Sequence, residues 1–213
     1  MIPASISGYL DRHHARYAVL THPTAYTAQE EAAAARVPGN EWAKTVVCIA
    51  DGQPVLAVLP APFAVDLTSL KQLLHARSIR LAREQEFASL YQDCEVGAMP
   101  PLGPLYGQRV IVDEHLVSDP EIVFNAGSHQ DAIRMPFSEF ARVAQPIQAR
   151  IASALAMPAS RQGLAIDPVC GARLQEDLIA EWSRLGDDTY YFCSRRCKME
   201  FDDNPYAYAR DRR

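Results

Sequence analysis

The sequence lacks the charge excess and the long apolar runs that would assign it to a broad class at once. It has 21 Lys and Arg against 26 Asp and Glu, which gives a formal net charge of −5. This charge gives no support for a general polyanion-binding protein, so any contact with RNA requires a local basic patch. No segment approaches the roughly 18 uninterrupted apolar residues of a membrane-spanning helix. We therefore expect no membrane association.

Cysteines are few and unevenly placed. The chain has five in 213 residues, and three of them, Cys170, Cys193 and Cys197, lie together near its end, while Cys48 and Cys94 are isolated. The N-terminal segment MIPASISGYLDRHHARY has no apolar core of signal-peptide type, so we expect a cytoplasmic protein. In that compartment clustered cysteines indicate thiols or metal ligands rather than disulfides.

Apolar periodicity and turn signals predict an α+β fold for the larger part of the chain. Thr27 and Glu30 form a capping-box pattern before an alanine-rich helix. Asp51-Gly52 separates β-type runs at 44–50 and 54–59 and predicts a hairpin. Strands without regular helix alternation indicate a mixed, mainly antiparallel sheet with surrounding helices rather than a Rossmann fold. Further helices are predicted at 3–14, 66–75, 84–91 and 137–143, and further strands at 17–21, 109–113 and 121–124.

A change in composition divides the chain into two domains. Residues 1–146 are predicted to form the larger domain, and residues 147–163 a linker. Residues 164–213 are rich in cysteine and aromatic residues and are predicted to form a small α+β domain that binds a metal. A segment of this size cannot bury a generous core, so a bound metal would stabilise it.

Four motifs follow one another in the larger domain. They are His22-Pro23 before a helix containing EEAAA, Lys44-Thr45 at the start of a strand, a G-x-x-x-P loop at 97–101, and FNAGSH at 124–129. In order and spacing they resemble the YbaK/prolyl-tRNA-synthetase-associated family of editing domains. The resemblance implies a trans-acting deacylase that hydrolyses the ester of mischarged tRNA, with Cys-tRNA(Pro) or Ala-tRNA(Pro) as substrates. It also implies that the substrate's own 2′-hydroxyl assists the attack and that no cofactor is required.

The resemblance also implies which residues carry the reaction. An aminoacyl ester is already activated, so positioning and carbonyl polarisation can supply most of the rate. We expect Lys44 to hold the terminal phosphate or ribose, and backbone N–H groups of the 97–101 loop to approach the aminoacyl carbonyl. The predicted catalytic residues are Lys44, Gly97, Pro101, Gly127 and Ser128, and the predicted substrate-binding residues are His22, Thr45, Met99, Asn125 and Asp131.

Structural roles compete with these functional ones. A lysine at the start of a strand is usually a solvated charge, and residues 97–103 and 125–128 can be turns alone. His22 can be a structural histidine and Asp131 a turn or cap residue. As partners we expect the tRNA 3′ end and, where affinity for tRNA is weak, an aminoacyl-tRNA synthetase. We expect a monomer.

The small domain carries three motifs of its own. These are DPVCG at 167–171, YYFCS at 190–194, and Cys197 followed by Phe201, Asn204-Pro205 and Tyr208. They resemble the YHS domain, a relative of TRASH-type metal-binding domains. The three residues between Cys193 and Cys197 place both thiols on one face if the segment is helical. With Cys170 they would form a thiolate site suited to Zn, Cu or Fe.

The sequence does not identify the fourth metal ligand or the role of the metal. Water, a carboxylate such as Asp167, or a group of a partner could complete the site. An open site fits a metal sensor or carrier, whose larger domain would then recognise tRNA or another ligand without catalysis. The structural alternative is three buried cysteines in a small hydrophobic domain.

Overall fold

The computed structural model of the protein describes residues 2–154, 165–169, 173–174, 181–185, 188–192 and 195–208. Residues 2–154 combine a five-stranded and a three-stranded sheet with surrounding helices. Seven of the nine strand pairings among the described residues are antiparallel. The predicted mixed α+β class with a mainly antiparallel sheet is confirmed.

The strand order of the two sheets brings distant parts of the chain together. The larger sheet has the order β5-β2-β3-β6-β9 and the smaller one β1-β8-β7, while β4 pairs with β10. The strands are β1 (Ala18–Thr21), β2 (Ala43–Ala50), β3 (Gln53–Pro60), β4 (Phe63–Val65), β5 (Ile79–Leu81), β6 (Arg109–Asp113), β7 (Glu121–Asn125), β8 (Asp131–Pro136), β9 (Ile147–Ala149) and β10 (Ala152–Ala154). The helices are α1 (Ala4–Arg12), α2 (Ala28–Ala34), α3 (Leu67–Leu73), α4 (Glu84–Leu90), α5 (Glu114–Val117) and α6 (Phe137–Ala144), with a 3-10 turn at Gly103–Tyr106.

Two local signals that were predicted from the sequence are confirmed. Thr27 Oγ1 accepts a hydrogen bond from Glu30 N, and a Glu30 carboxylate oxygen accepts one from Thr27 N, each at 3.2 Å, so the capping box starts α2. The turn between β2 and β3 is made by Asp51 at φ 47° and Gly52 at φ 83°. Both residues have the positive φ that a tight two-residue hairpin requires.

Residues 131–136, to which the sequence analysis assigned no element, form the central strand of the smaller sheet. This strand, β8, pairs with β1 on one side and with β7 on the other. Asp131 and Arg134 interrupt its apolar character, so its sequence does not alternate in the usual manner. The strand forms because both of its edges find a partner, and β1 lies about a hundred residues earlier in the chain.

The chain forms two further strands after residue 146, where the linker was predicted to begin. β9 pairs with β6 in parallel, and β10 pairs with β4. Asp113 anchors this segment, because its Oδ2 accepts hydrogen bonds from Ile151 N at 2.8 Å and Ala152 N at 2.7 Å. Residues 155–163 of the predicted linker lie outside the described residues.

The described parts of the small domain pack around an aromatic cluster. Phe192 and Phe201 are fully buried with their ring centroids 5.1 Å apart, and Tyr190 and Tyr208 pack against them. The elements are β11 (Ala165–Ile166), β12 (Arg173–Leu174), β13 (Glu181–Leu185), β14 (Asp188–Phe192), α7 (Arg195–Asp203) and α8 (Pro205–Tyr208). α7 and β13 lie against α2 of the larger part. None of the helices described in either part combines the length and the apolar character that a membrane crossing requires.

Candidate functional site

A cavity of about 170 Å³ opens between α2, the start of β2 and the loop that follows α4. We call it the pocket. Apolar and polar side chains both contribute to its wall, which is typical of small-molecule sites. It is lined by Tyr26, Ala28, Glu31, Trp42, Ala43, Lys44, Thr45, Gly97, Met99 and Asn125.

A buried carboxylate organises one side of the pocket. Glu31 is 2% exposed and lies on α2, which faces the end of β7. Its Oε1 accepts a hydrogen bond from Asn125 Nδ2 at 2.8 Å and lies 2.8 Å from His129 Nδ1. Two donors from the segment that contains FNAGSH therefore hold the Glu31 carboxylate.

The surroundings of His129 favour the protonated imidazole. Its Nε2 lies 2.9 Å from the Val96 carbonyl oxygen and its Nδ1 lies 2.8 Å from Glu31 Oε1, so both ring nitrogens face oxygen atoms. Burial by itself lowers the pKa of His129, but the hydrogen bonds to Glu31 and Val96 outweigh it and the net pKa is raised. Burial raises the pKa of Glu31, and the hydrogen bonds from His129 and Asn125 oppose that rise.

Lys44 contributes an ammonium group to the wall. Its Nζ donates a hydrogen bond to the Ala61 carbonyl oxygen at 2.9 Å. Burial lowers the pKa of Lys44 to about 8. Because the wall removes water from the ammonium group, an anionic ligand would interact with it more strongly than with an exposed lysine.

Two buried polar atoms close to the pocket have no hydrogen-bond partner among the described residues. They are Asn125 Oδ1 and His22 Nε2. The hydrogen bond to Glu31 fixes the orientation of the Asn125 amide, so its oxygen is available as an acceptor at the wall. His22 packs edge-on against Trp42 with ring centroids 5.6 Å apart.

The loop at 97–101 presents few backbone donors. Pro100 and Pro101 have no N–H, and Ala98 N donates to the Glu95 carbonyl oxygen at 3.0 Å. Gly97 and Met99, which both line the pocket, supply the remaining N–H groups of the loop. Gly97 has φ 94°, and a Cβ there would lie 3.4 Å from His129 Cε1. Glycine therefore permits both the turn and the close approach to the imidazole.

The structure places five of the ten residues predicted for the larger domain at the pocket. These five are Lys44, Thr45, Gly97, Met99 and Asn125. The other five, His22, Pro101, Gly127, Ser128 and Asp131, are not part of its lining. His22 and Pro101 are buried, Gly127 and Ser128 belong to the turn between β7 and β8, and Asp131 is the first residue of β8.

Side chains and backbone within that turn bond to one another. Ser128 Oγ donates to Asp131 Oδ2 and accepts from Asp131 N, each at 3.1 Å, and Thr21 Oγ1 donates to Asp131 Oδ1 at 3.1 Å. Gly127 has φ 95°, and its N–H donates to the Ala98 carbonyl oxygen at 2.9 Å. The turn thus connects the 97–101 loop to β8 and positions Asn125 and His129 on either side of it.

Four residues with charged or aromatic side chains in the pocket region were not predicted. Glu31 lies inside the EEAAA motif and His129 inside the FNAGSH motif. The signal that could have identified Glu31 was a carboxylate within an alanine-rich helix, and the structure shows that this carboxylate is buried. Trp42 is fully buried. Tyr26 is 75% exposed at the pocket, with its ring centroid 5.1 Å from that of His129, so one aromatic face is open to a ligand.

Only one residue of the predicted metal set can be described. Cys170 and Cys193 lie outside the described residues, whereas Cys197 is 9% exposed and packs with Phe192 and Phe201. Asp167 is fully buried and accepts a hydrogen bond from Val169 N at 2.9 Å. Within the described residues no cluster of three or more His, Cys, Asp or Glu forms a metal site.

Comparison with protein families identifies both parts of the chain. A model of the aminoacyl-tRNA editing domain matches residues 22–143. The chain belongs to the aminoacyl-tRNA editing domain family. A model of the YHS domain matches residues 165–212, so a YHS domain follows the editing domain, as was predicted.

Curated relatives of the editing domain occur within larger enzymes. A segment of 113 residues is 32% identical to part of the proline–tRNA ligase of Nitratidesulfovibrio vulgaris strain Hildenborough, and covers 53% of this chain and 19% of the ligase. The corresponding ligase of Leuconostoc citreum is 28% identical over 109 residues, covering 51% of this chain and 19% of the ligase. The matched segment thus spans about a fifth of the length of these relatives.

Solved structures share the fold of the editing domain. The hypothetical protein APE2540 superposes with a TM-score of 0.63 at 22% identity, covering 70% of this chain and 99% of its own. A proposed trans-editing enzyme for prolyl tRNA synthetase superposes with a TM-score of 0.62 at 21% identity, covering 72% of this chain and 99% of its own. At these identities the likeness establishes the fold alone.

Proposed function

We propose that the pocket hydrolyses the ester between a wrong amino acid and the 3′ end of tRNA, in trans. The observation that carries this proposal is the composition of the pocket wall. A desolvated lysine, an amide oxygen with no partner among the described residues and a glycine-containing loop surround a cavity of about 170 Å³. The small volume favours a small amino acid, which is why Cys-tRNA(Pro) and Ala-tRNA(Pro) are the substrates we propose.

Each group has a task in the proposed reaction. Lys44 holds the anionic 3′ end, and Asn125 Oδ1 accepts a hydrogen bond from the α-ammonium group of the aminoacyl moiety. The N–H groups of Gly97 and Met99 stabilise the oxyanion that develops when the carbonyl is attacked. The 2′-hydroxyl of the terminal adenosine assists the attack, so the pocket supplies position and electrostatics. The open face of Tyr26 stacks on a base of the tRNA end.

The relatives support the choice of partner. The matching segments belong to proline–tRNA ligases, so we propose that this chain acts on tRNA charged by a prolyl-tRNA synthetase and released from, or still bound to, that enzyme. We propose a cytoplasmic monomer that meets this enzyme during translation.

The experiment that tests the activity is deacylation of a panel of mischarged tRNAs. We expect Cys-tRNA(Pro) or Ala-tRNA(Pro) to be hydrolysed faster than correctly charged tRNA, and Lys44→Ala to lower kcat/KM by about 100-fold, since a desolvated charge contact is lost. Lys71→Ala is the matched control, because Lys71 is an exposed lysine on α3. If no ester of the panel is hydrolysed, the domain is a recognition module and the proposed activity is wrong.

We further propose that the YHS domain binds a transition metal, Zn, Cu or Fe, through Cys170, Cys193 and Cys197. The family match and the buried position of Cys197 next to an aromatic cluster support this assignment. When bound, the metal would crosslink the ends of the small domain and stabilise it.

Elemental analysis of protein that is purified without added metal tests this site. We expect about one equivalent of metal, reduced at least tenfold in Cys197→Ser, because a thiolate ligand is lost. Cys48→Ser is the matched control, since Cys48 is a buried cysteine of the editing domain. Metal content that is equal in both variants contradicts the assignment.

A further inference from the structure

The helix α2 has two occupied faces. Ala28 and Glu31 lie three residues apart and line the pocket. Gln29, Ala32 and Ala33 lie on another face, which meets the YHS domain. A single helix of seven residues is therefore shared between the candidate active site and the second domain.

The YHS side of this contact is a buried polar network. Asp202 on α7 accepts a hydrogen bond from Ser183 Oγ of β13 at 2.6 Å and forms an ion pair with Lys198 one helical turn earlier. Lys198 is 7% exposed and Ser183 is 4% exposed. A lysine is buried to this extent only when its charge is paired, and here Asp202 provides the pairing.

Small residues of the editing domain make room for this network. Gly39 lies next to Lys198, since a Cβ at Gly39 would be in van der Waals contact with Lys198 Nζ at 3.7 Å. Ala32 and Ala33 line the same small cavity as Ser183, Lys198 and Asp202, a cavity of about 10 Å³. Two surfaces that leave so little space between them behave as one packed interface, and a larger side chain would force them apart.

Such an interface matters because α2 is too short to be stable without contacts to the rest of the protein. An isolated helix of seven residues is far below the roughly 12–15 residues at which helices become marginally stable in water. Its capping box fixes the N-terminal end, and packing of Ala32 against Trp42 and Val123 holds one side. The surface formed by Ser183, Lys198 and Asp202 closes the side that would otherwise be open to solvent.

We propose that the YHS domain braces the editing site: its α7–β13 surface holds α2 and thereby places Glu31 against Asn125 and His129. Ala33, Lys198 and Asp202 act as positioning residues, whereas Glu31 touches the pocket directly. The effect on the reaction rate rests on the proposed deacylase function, but the effect on the position of Glu31 does not.

The test uses the full chain with substitutions on both sides of the interface. Ala33→Arg introduces a long cation facing Lys198, and Lys198→Met removes the charge from the other side. Ala34→Arg is the matched control, because Ala34 is the last residue of the same helix and is not among the residues that line the interface cavity. Ala33→Ser is the conservative variant that should retain function.

Two readouts separate the inference from the proposed activity. The first is the titration of the His129 imidazole by NMR, which reports on its ion pair with Glu31 whether or not an ester is hydrolysed. The second is kcat/KM for deacylation. We expect Ala33→Arg and Lys198→Met to lower the pKa of His129 and to reduce kcat/KM about 10-fold, with Ala34→Arg and Ala33→Ser within about twofold of the wild-type protein.

The double variant distinguishes one interface from two unrelated defects. Because both positions act through the same contact, the effects of Ala33→Arg and Lys198→Met should be less than additive. The inference is overturned if folded Ala33→Arg and Lys198→Met proteins keep the wild-type titration of His129. If Ala33→Arg does not fold, Lys198→Met alone decides between these outcomes. Absence of hydrolysis in every protein would refute the proposed activity. It would not refute the proposed positioning of Glu31 by the YHS domain, which the titration of His129 still tests.

Discussion

At the scale of single residues, the pocket depends on how a few charges are paired. Glu31 Oε1 lies within hydrogen-bond distance of His129 Nδ1 and accepts from Asn125 Nδ2, and this fixes the direction in which Asn125 Oδ1 points. Among the residues that the structure describes, Lys44 Nζ bonds to one group, the Ala61 carbonyl oxygen. We therefore expect His129 to orient the wall through Glu31, and the Lys44 ammonium group to be the charge that a ligand can use.

The titration of Lys44 predicts a pH limit for the activity. Since burial lowers its pKa to about 8, the free protein loses this charge as the pH rises above about 8. We expect the enzyme-dependent part of deacylation to fall between pH 8 and pH 9. Lys44→Arg should extend the activity to higher pH, because a guanidinium stays protonated throughout this range. The measurement is the pH dependence of kcat/KM after subtraction of uncatalysed hydrolysis.

The contribution of Lys44 to the stability of the fold changes in the opposite sense over the same range. The pKa of Lys44 is lower in the folded protein, about 8, than its ordinary value of 10.5. At Lys44 the unfolded state therefore binds more protons between these values, and the contribution of this residue to the free energy of unfolding increases with pH across that window. This contribution is the difference in free energy of unfolding between the wild-type protein and Lys44→Ala. A difference that decreases with pH would point to another group.

At the scale of elements, the turn between β7 and β8 determines where the site forms. It carries Asn125 at the end of one strand and His129 before the other, and Gly127 bonds to the 97–101 loop between them. A Cβ on Gly127 would lie 2.7 Å from Pro3 Cγ, just before α1. The turn therefore packs between the N-terminal helix and the loop of the pocket.

Gly127→Ala should destabilise the protein more than glycine strain alone explains. Both Gly127 and Gly52 have positive φ, but a Cβ on Gly52 would meet nothing within 4 Å. We expect Gly52→Ala to lower the free energy of unfolding by about 1 kcal/mol through backbone strain. Gly127→Ala should lower it by about 3 kcal/mol, because the added methyl group also overlaps Pro3. Urea denaturation of both variants provides the comparison, and equal losses would show that α1 moves away without cost.

The elements that could be predicted from sequence are those with local causes. The capping box of α2 and the Asp51-Gly52 turn depend on residues that are neighbours in the chain. β8 and β9 could not be predicted, because β8 forms between strands at 18–21 and 121–125, and β9 on the edge of β6. The two strands gain their hydrogen bonds only after distant segments have come together.

The same distinction applies to the site. Five residues that could be predicted from motifs do line the pocket, namely Lys44, Thr45, Gly97, Met99 and Asn125. Glu31 escaped prediction because its importance lies in a contact across 94 residues of sequence with Asn125. Gly127 and Ser128 were predicted as catalytic because of the motif to which they belong, whereas their hydrogen bonds in the structure support the turn.

At the scale of the whole molecule, two domains share one short helix. We expect the contact between α2 and the surface of Ser183, Lys198 and Asp202 to couple the unfolding of the editing domain to that of the YHS domain. Elements that unfold together give a single cooperative transition, whereas independent domains give two.

Calorimetry can detect this coupling. We expect the wild-type protein to unfold in one transition, and Asp202→Ala to separate it into two, because the substitution leaves Lys198 as an uncompensated buried charge and costs about 3 kcal/mol. Asp203→Ala is the control at the neighbouring, exposed position of α7. Two transitions in the wild-type protein itself would show that the contact is too weak to join the domains.

The positions of the two tryptophans allow each domain to be followed separately by intrinsic fluorescence. The chain contains two, Trp42 and Trp182; Trp42 is fully buried in the pocket wall, and Trp182 is half-buried on β13. A Trp182→Phe protein would therefore carry a single indole in the pocket wall, and a Trp42→Phe protein would carry a single indole in the YHS domain. In a stopped-flow mixer, the fluorescence of these two proteins would report separately on the time course of ligand entry into the pocket and of changes in the YHS domain, without any attached dye.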